Sequence, residues 1–248
     1  MEFSIAEYLT ALFIFFGAIL YSSVGHGGAS AYIAIMSLMG TPTLSIKPIG
    51  LVLNIIVSSI SSFRFIKNKL FSFKVFLPVV LGSVPTAFLG GYIQLEPSSY
   101  KSLVGFILLF AGSQFIFNFS QYFNVKSNKI VNPFIGFLAG LIIGLLSGLT
   151  GTGGGIFLSP LILILGWTTI KGASGTAAAF ILFNSISGLL GNITSINFIP
   201  NTIFLFSFSV LCGVIIGTQL GIKILNENNV KKALGIVLII AGLKFILT

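Results

Sequence analysis

The chain has 248 residues, 55% of them hydrophobic and 7% charged, with a mean hydropathy of +1.09. A soluble domain carries about 25% charged residues, so the composition excludes that class and reads as an all-α polytopic membrane protein whose surface faces lipid. The net charge of +9 does not mark a nucleic-acid binder, because the basic residues sit in short loops between apolar spans, where charge bias sets membrane orientation.

A span needs roughly 20 apolar residues to cross about 30 Å of hydrocarbon. The first is predicted over about Ala6 to Val24. Glu2 and Glu7 precede or open it and no Lys or Arg does, so it lacks the basic start of a secretory signal and is expected to be retained. It ends in a break, Gly25-His26-Gly27-Gly28. A short segment follows, about Ala29 to Met39, and stops at Gly40-Thr41-Pro42. At roughly 16 Å of helix it is half a span. Further spans are predicted over about Leu44 to Phe65, Phe73 to Gln94 and Tyr100 to Phe119.

The second half repeats the layout. A span over about Val131 to Leu149 runs into Gly148-Leu149-Thr150-Gly151-Thr152-Gly153-Gly154-Gly155, with five glycines in eight residues. A short segment, Ile156 to Leu165, ends at Gly166-Trp167. Spans then cover about Gly172 to Ile193, Thr202 to Leu225 and Val230 to Leu247. Residues 1–119 therefore form a first membrane repeat, 120–130 a polar linker and 131–248 a second repeat.

Residue matches support the duplication. His26 aligns with Thr152 at an offset of 126, and the same offset pairs Gly40 with Gly166 and Ser58-Ser59-Ile60-Ser61 with Asn184-Ser185-Ile186-Ser187. After a loop-length difference Gly82, Gly90 and Glu96 pair with Gly213, Gly221 and Glu227, and Ala111-Gly112 pairs with Ala241-Gly242 at an offset of 130.

Charge selects the topology. If each glycine break lies within one crossing, the basic residues divide almost evenly between the two sides. If each break turns the chain back, one side holds Arg64, Lys67, Lys69, Lys74, Lys126, Lys129, Lys171, Lys223, Lys231 and Lys232, ten of the 13, and the other holds Lys47, Lys101 and Lys244. The positive-inside rule favours the second arrangement. The fold expected is thus two inverted-topology repeats of about five helical segments each, with glycine-broken short segments after the first helix of each half and both termini outside. Loop 194–202 has no charge, while its counterpart Arg64 to Lys74 is strongly basic.

Paired broken helices in inverted repeats point to a site between the halves. Glycine runs free backbone N–H groups, and the helix restarting after each run presents its positive N-terminal end, which favours an anion. Gly153, Gly154 and Gly155, opposed by Gly25, Gly27 and Gly28, would supply backbone donors, with Gly151 in the turn. Thr150, Thr152, Ser58, Thr176 and Asn184 would orient the anion. His26, the lone histidine, is either an anion contact and proton-coupled switch or a structural hydrogen bond at a turn. The alternative for the glycines is tight turning or close helix packing. Packing is the favoured role of the four-residue stripes Gly136/Gly140/Gly144/Gly148, Gly82/Thr86/Gly90 and Gly213/Gly217/Gly221. Asn54, Ser59, Gln114, Ser185 and Gln219 are other polar residues within spans, and Lys47 and Lys171, at segment starts on opposite faces, either attract an anion at its mouth or, the favoured reading, are solvated loop charges.

Absences narrow the chemistry. The only acidic residues are Glu2, Glu7, Glu96 and Glu227, all at or near predicted membrane ends. Cation pumps and metal transporters use intramembrane carboxylates, and one His and one Cys do not compose an ordinary metal site. No cofactor or metal is expected. The second break has no preceding strand and no Lys-Ser/Thr after its last glycine, so it is not a nucleotide-phosphate loop. Cys212 sits in an apolar span and cannot form an internal disulfide.

On Gly25-His26-Gly27-Gly28, Gly151-Thr152-Gly153-Gly154-Gly155, and Lys171-Gly172-Ala173-Ser174-Gly175-Thr176 leading to Asn184, the chain resembles the TauE/SafE family of sulfite and organosulfur-anion transporters. The resemblance implies a bacterial or archaeal inner-membrane permease for small anions such as sulfite, thiosulfate or sulfonates, often proton-linked. Pro48 and Gly50 stand at the repeat positions of Ser174 and Thr176, which shifts the expected site toward the second half. The expected partners are a small anion and membrane lipid; an anion channel and a membrane-embedded enzyme remain the other classes.

Overall fold

The computed structural model describes residues 3–23, 25–117, 129–193, 200–223 and 227–247. Most of the expected linker at 120–130, and most of the uncharged loop at 194–202, fall outside these residues. The described chain is helical, in the order α1 (Ile5–Ser23), α2 (Ala29–Leu38), α3 (Thr43–Lys67), α4 (Phe73–Tyr92), α5 (Pro97–Phe117), α6 (Pro133–Thr150), α7 (Gly155–Ile164), α8 (Ile170–Asn192), α9 (Thr202–Lys223) and α10 (Glu227–Leu247). Among the described residues six helices, α1, α3, α4, α6, α8 and α9, are long and apolar enough to cross a membrane, and the protein is a multi-pass helical membrane protein. Helices α5 and α10 have 21 residues each and open on the polar runs Pro97-Ser98-Ser99-Tyr100-Lys101-Ser102 and Glu227-Asn228-Asn229-Val230-Lys231-Lys232. The half-length segments form the 10-residue helices α2 and α7.

Local signals set several boundaries. Asn132 caps α6, its side chain accepting from the N–H groups of Phe134 at 3.0 Å and Ile135 at 3.2 Å, and Pro133 follows at a position where no N–H is needed. Thr169 caps α8 by accepting from the N–H of Gly172 at 3.2 Å.

Glycine stripes bring helices into backbone contact. Along α4 and α6, which run parallel, Gly140 lies against Val79, Gly144 against Ser83 and Gly148 against Ala87, so close that a Cβ on any of the three would collide with the facing carbonyl. Helices α1 and α9 also run parallel, with Gly213 against Phe15 and Gly217 against Ile19. Helix α8 lies along α4, where Ser187 Oγ donates to the Val84 carbonyl at 2.6 Å and Gly191 abuts Phe88.

Repeat mates meet each other antiparallel. Asn54 and Leu51 of α3 face Ser185 and Gly188 of α8. In α5 and α10, Gly105 faces Gly242 and Gly112 faces Gly235. At the 130-residue offset Gly105 pairs with Gly235 and Gly112 with Gly242, so exchanging the halves converts one of these contacts into the other.

The fourth helix of each half packs on the other half: α4 against α6 and α8, α9 against α1 and α3. Two apolar cores result. One joins α1, α2, α3 and α9 with α5 and α10 alongside. The other joins α4, α6, α7 and α8 and includes Trp167. The crossing of α3 with α8 lies between them.

Candidate functional site

The breaks have matching backbone geometry. Gly25 and Gly151 have φ of 76° and 82°, Gly28 and Gly154 have 91° and 75°, and each pair is separated by the 126-residue offset. Gly40 and Gly166, which end the two short helices, match likewise at 80° and 69°. This left-handed region costs a residue with a Cβ about 1–2 kcal/mol, so glycine is required by conformation here and not only by packing. Gly28 and Gly154 immediately precede α2 and α7, and neither helix start has a side-chain cap from that residue. The mates differ at one place: Gly153 has φ 75°, whereas Gly27 is not in the left-handed region.

Each break leans on the start of a long helix from the opposite half. Gly25 packs on Ser174 near the start of α8, and Gly151 packs on Lys47 near the start of α3. From there both breaks run inward to the same residues. A Cβ on Gly27 would stand 2.7 Å from Asn54 Oδ1 and 2.8 Å from Ile181 Cγ2. One on Gly153 would stand 2.5 Å from Asn54 Nδ2, 2.8 Å from Ile181 Cγ2 and 3.1 Å from Ser185 Oγ. Gly155 abuts Ile181 as well. Asn54 and Ile181 lie at the middles of α3 and α8, so the two glycine chains meet at the centre of that crossing.

Asn54 joins three elements there. Its Oδ1 accepts from the N–H of Ala29 in the first turn of α2 at 3.0 Å, and its Nδ2 donates to Ser185 Oγ at 3.3 Å. Asn54, Ser185 and Asn184 are all fully buried. Sequence reasoning placed Asn54 and Ser185 among polar residues in spans but did not select them. Repeat matching drew attention to Ser58 and Asn184 instead, and the mate of Asn54 is Phe180.

The other expected site residues divide. Thr150 and Thr152 are together, with their hydroxyls 3.0 Å apart, and the Thr150 hydroxyl also donates to the Leu146 carbonyl at 2.7 Å. Tyr100 of α5 donates to the Thr150 carbonyl at 3.0 Å. His26 is buried beside Tyr21, ring edge to ring face with centroids 6.5 Å apart, and Ser30 donates to the Tyr21 hydroxyl at 3.0 Å. Ser58 donates to the Asn54 carbonyl on its own helix at 2.5 Å. Asn184 donates to the Phe180 carbonyl at 3.0 Å, and its Oδ1 is buried without a partner, as is Ser147 Oγ close to Gly154. A buried polar atom without a partner costs about 1–3 kcal/mol, so these atoms suit a polar ligand or water. Thr176 stands elsewhere. It donates to the Gly172 carbonyl at 2.8 Å and accepts from the N–H of Ser72 at 3.1 Å, which ties α8 to the α3–α4 loop.

Lys47 departs from the expected solvated charge. It is buried, and Nζ donates to the carbonyls of Gly90, Gly91 and Ile93 at 3.1, 3.0 and 3.2 Å. Those carbonyls end α4, where the helix leaves acceptors unpaired and its dipole favours a cation. Lys244 does the same at the end of α2, donating to Ser37 at 2.7 Å and Leu38 at 3.1 Å. Two of the three basic residues assigned to the sparsely charged side thus cap helices.

The site therefore offers neutral donors, backbone N–H groups and glycine turns, with no carboxylate among the residues that border it. No group of three or more His, Cys, Asp or Glu among the described residues could hold a metal ion. Residues 10–245 match the family model described as sulfite exporter TauE/SafE. The chain is 33% identical over 238 residues to a probable membrane transporter protein of Sinorhizobium fredii, covering 95% of this chain and 96% of that one. It is 31% identical over 197 residues to a probable membrane transporter protein of Methanocaldococcus jannaschii, covering 73% and 69%. No solved structure matches it.

Proposed function

The chain belongs to the TauE/SafE family of sulfite exporters, and from that premise we propose a secondary transporter that moves a small sulfur-containing anion, such as sulfite, thiosulfate or an organosulfonate, by alternating access of two inverted repeats. The carrying observation is the convergence of both glycine breaks on Asn54 and Ile181 at the centre of the α3–α8 crossing. The restarted helices α2 and α7 direct their positive ends toward this region, and oxyanions suit such ends. Neutral donors hold an anion without the tight ion pairing that would slow its release.

The antiparallel meeting of repeat mates, α3 with α8 and α5 with α10, supports inversion. Two cores joined along one polar crossing supply bodies that can rock around the site. The proposed membrane is the bacterial or archaeal inner membrane, with the basic loops inside and both termini outside.

Purified protein in proteoliposomes should take up labelled sulfite, thiosulfate or sulfonate with saturation and without steady ionic current. No movement of any of the three would reject the cargo. Unsaturated current would make the protein a channel. His26 is proposed as the proton-responsive contact, so native uptake should change between about pH 5.5 and 7.5 and uptake by His26→Gln should lose that change; the same profile in both would leave the histidine a structural role.

A further inference from the structure

A groove of about 690 Å³ lies between the N-terminal ends of α4 and α6, away from the α3–α8 crossing. Lys74, Lys129 and Ser72 line it together with Trp167. Leu77 and Leu81 continue the wall along α4, one helical turn apart. Both leucines are exposed, as are both lysines, so the groove opens on the outer surface of the helices. No acidic residue is among the described residues that line it.

Polar and apolar features are ordered along this groove. Lysines, a hydroxyl and an indole gather where the helices begin, and the apolar wall runs toward the middle of α4. The same end carries Arg64 and Lys67 in the last turn of α3 and Lys69 in the α3–α4 loop. We infer that the groove is a site for an anionic phospholipid, with the headgroup phosphate between Lys74 and Lys129 and an acyl chain along Leu77 and Leu81. Charge complementarity selects this occupant over a neutral lipid. Basic pockets between membrane helices hold anionic headgroups, and tryptophan favours the depth of the headgroup boundary. The apolar wall selects a lipid over a soluble phosphate, which would leave the leucines without a partner.

Trp167 is the lone tryptophan and reports on the groove directly. Protein in phosphatidylcholine vesicles is titrated with brominated phosphatidylglycerol, and in parallel with brominated phosphatidylcholine, while Trp167 fluorescence is followed. The anionic lipid should quench at a much lower mole fraction than the neutral one. Lys74→Gln and Lys129→Gln should each weaken that preference about fivefold, and the double variant should abolish it. Lys101→Gln, on the opposite face, should leave it intact. Size-exclusion profiles check folding, and the single variants decide the question if the double variant is not monodisperse. Equal quenching by both lipids, or a preference that survives loss of the lysines, would overturn the assignment. So would full relief of quenching by millimolar glycerol phosphate, which would make the groove a site for soluble anions.

Discussion

Asn54 shows how much one side chain can hold in place. Its amide spans the start of α2 and Ser185 of α8, and both glycine breaks close over it. Asn54→Leu keeps the branched outline of the side chain but leaves the Ala29 N–H without its acceptor, at about 1–3 kcal/mol. Labelled-anion uptake by this variant should fall at least about tenfold while the protein remains monodisperse, since a loss of about 1.4 kcal/mol is already tenfold. Gly153→Ala should fail similarly. Its φ of 75° is unfavourable for alanine, and the new Cβ would press on Asn54 Nδ2 at 2.5 Å. Native uptake by both variants would remove the crossing from the transport path. Repeat matching could locate the glycines, because backbone conformation depends on residue type. It could not locate Asn54, because its mate Phe180 has no polar atom to match.

Between helices, the four-residue glycine spacing makes a graded prediction. Gly140 faces the Val79 carbonyl directly, whereas a Cβ on Gly136 would meet only side-chain carbons, of Pro78 at 3.2 Å and Val79 at 3.5 Å. Gly140→Ala should therefore force α4 and α6 apart and lower the yield of folded protein, while Gly136→Ala should be nearly neutral. Equal yields would show that the stripe is not a contact surface. The stripe was readable in the sequence; the partner and the unequal tightness along it were not, since both depend on which helix lies opposite.

Lys47 acts on the same scale, closing the end of α4 through three carbonyls. Hydrogen bonds from a charged donor are worth about 1.5–3 kcal/mol, so Lys47→Met should lower the thermal midpoint in detergent by roughly 5 °C or more. An unchanged midpoint would mean that those carbonyls find other partners. In the sequence the residue looked like a loop charge because it stands near the beginning of a span. The approach of α4 from the other direction is what buries it.

For the whole molecule, the testable feature is orientation. In a Cys212→Ala background, Lys67→Cys, at the end of α3, and Asn201→Cys, after the matching helix α8, should react with an impermeant maleimide from opposite sides of the membrane, residue 67 from the inside. Labelling of both from one side would reject the inverted arrangement. Membrane class and the approximate length of each helix are properties of residue types in order, and the sequence alone determined them. So too did the two glycine breaks, because left-handed turns at Gly25, Gly28, Gly151 and Gly154 select glycine whatever surrounds them. Only the tertiary structure decided that the halves exchange their fourth helices, that Asn54 and Ile181 are where the breaks meet, and that Thr176 instead secures the α3–α4 loop. Those outcomes rest on contacts between residues far apart in the chain. Hydropathy and periodicity specify which face of a helix is buried, but not which helix it is buried against.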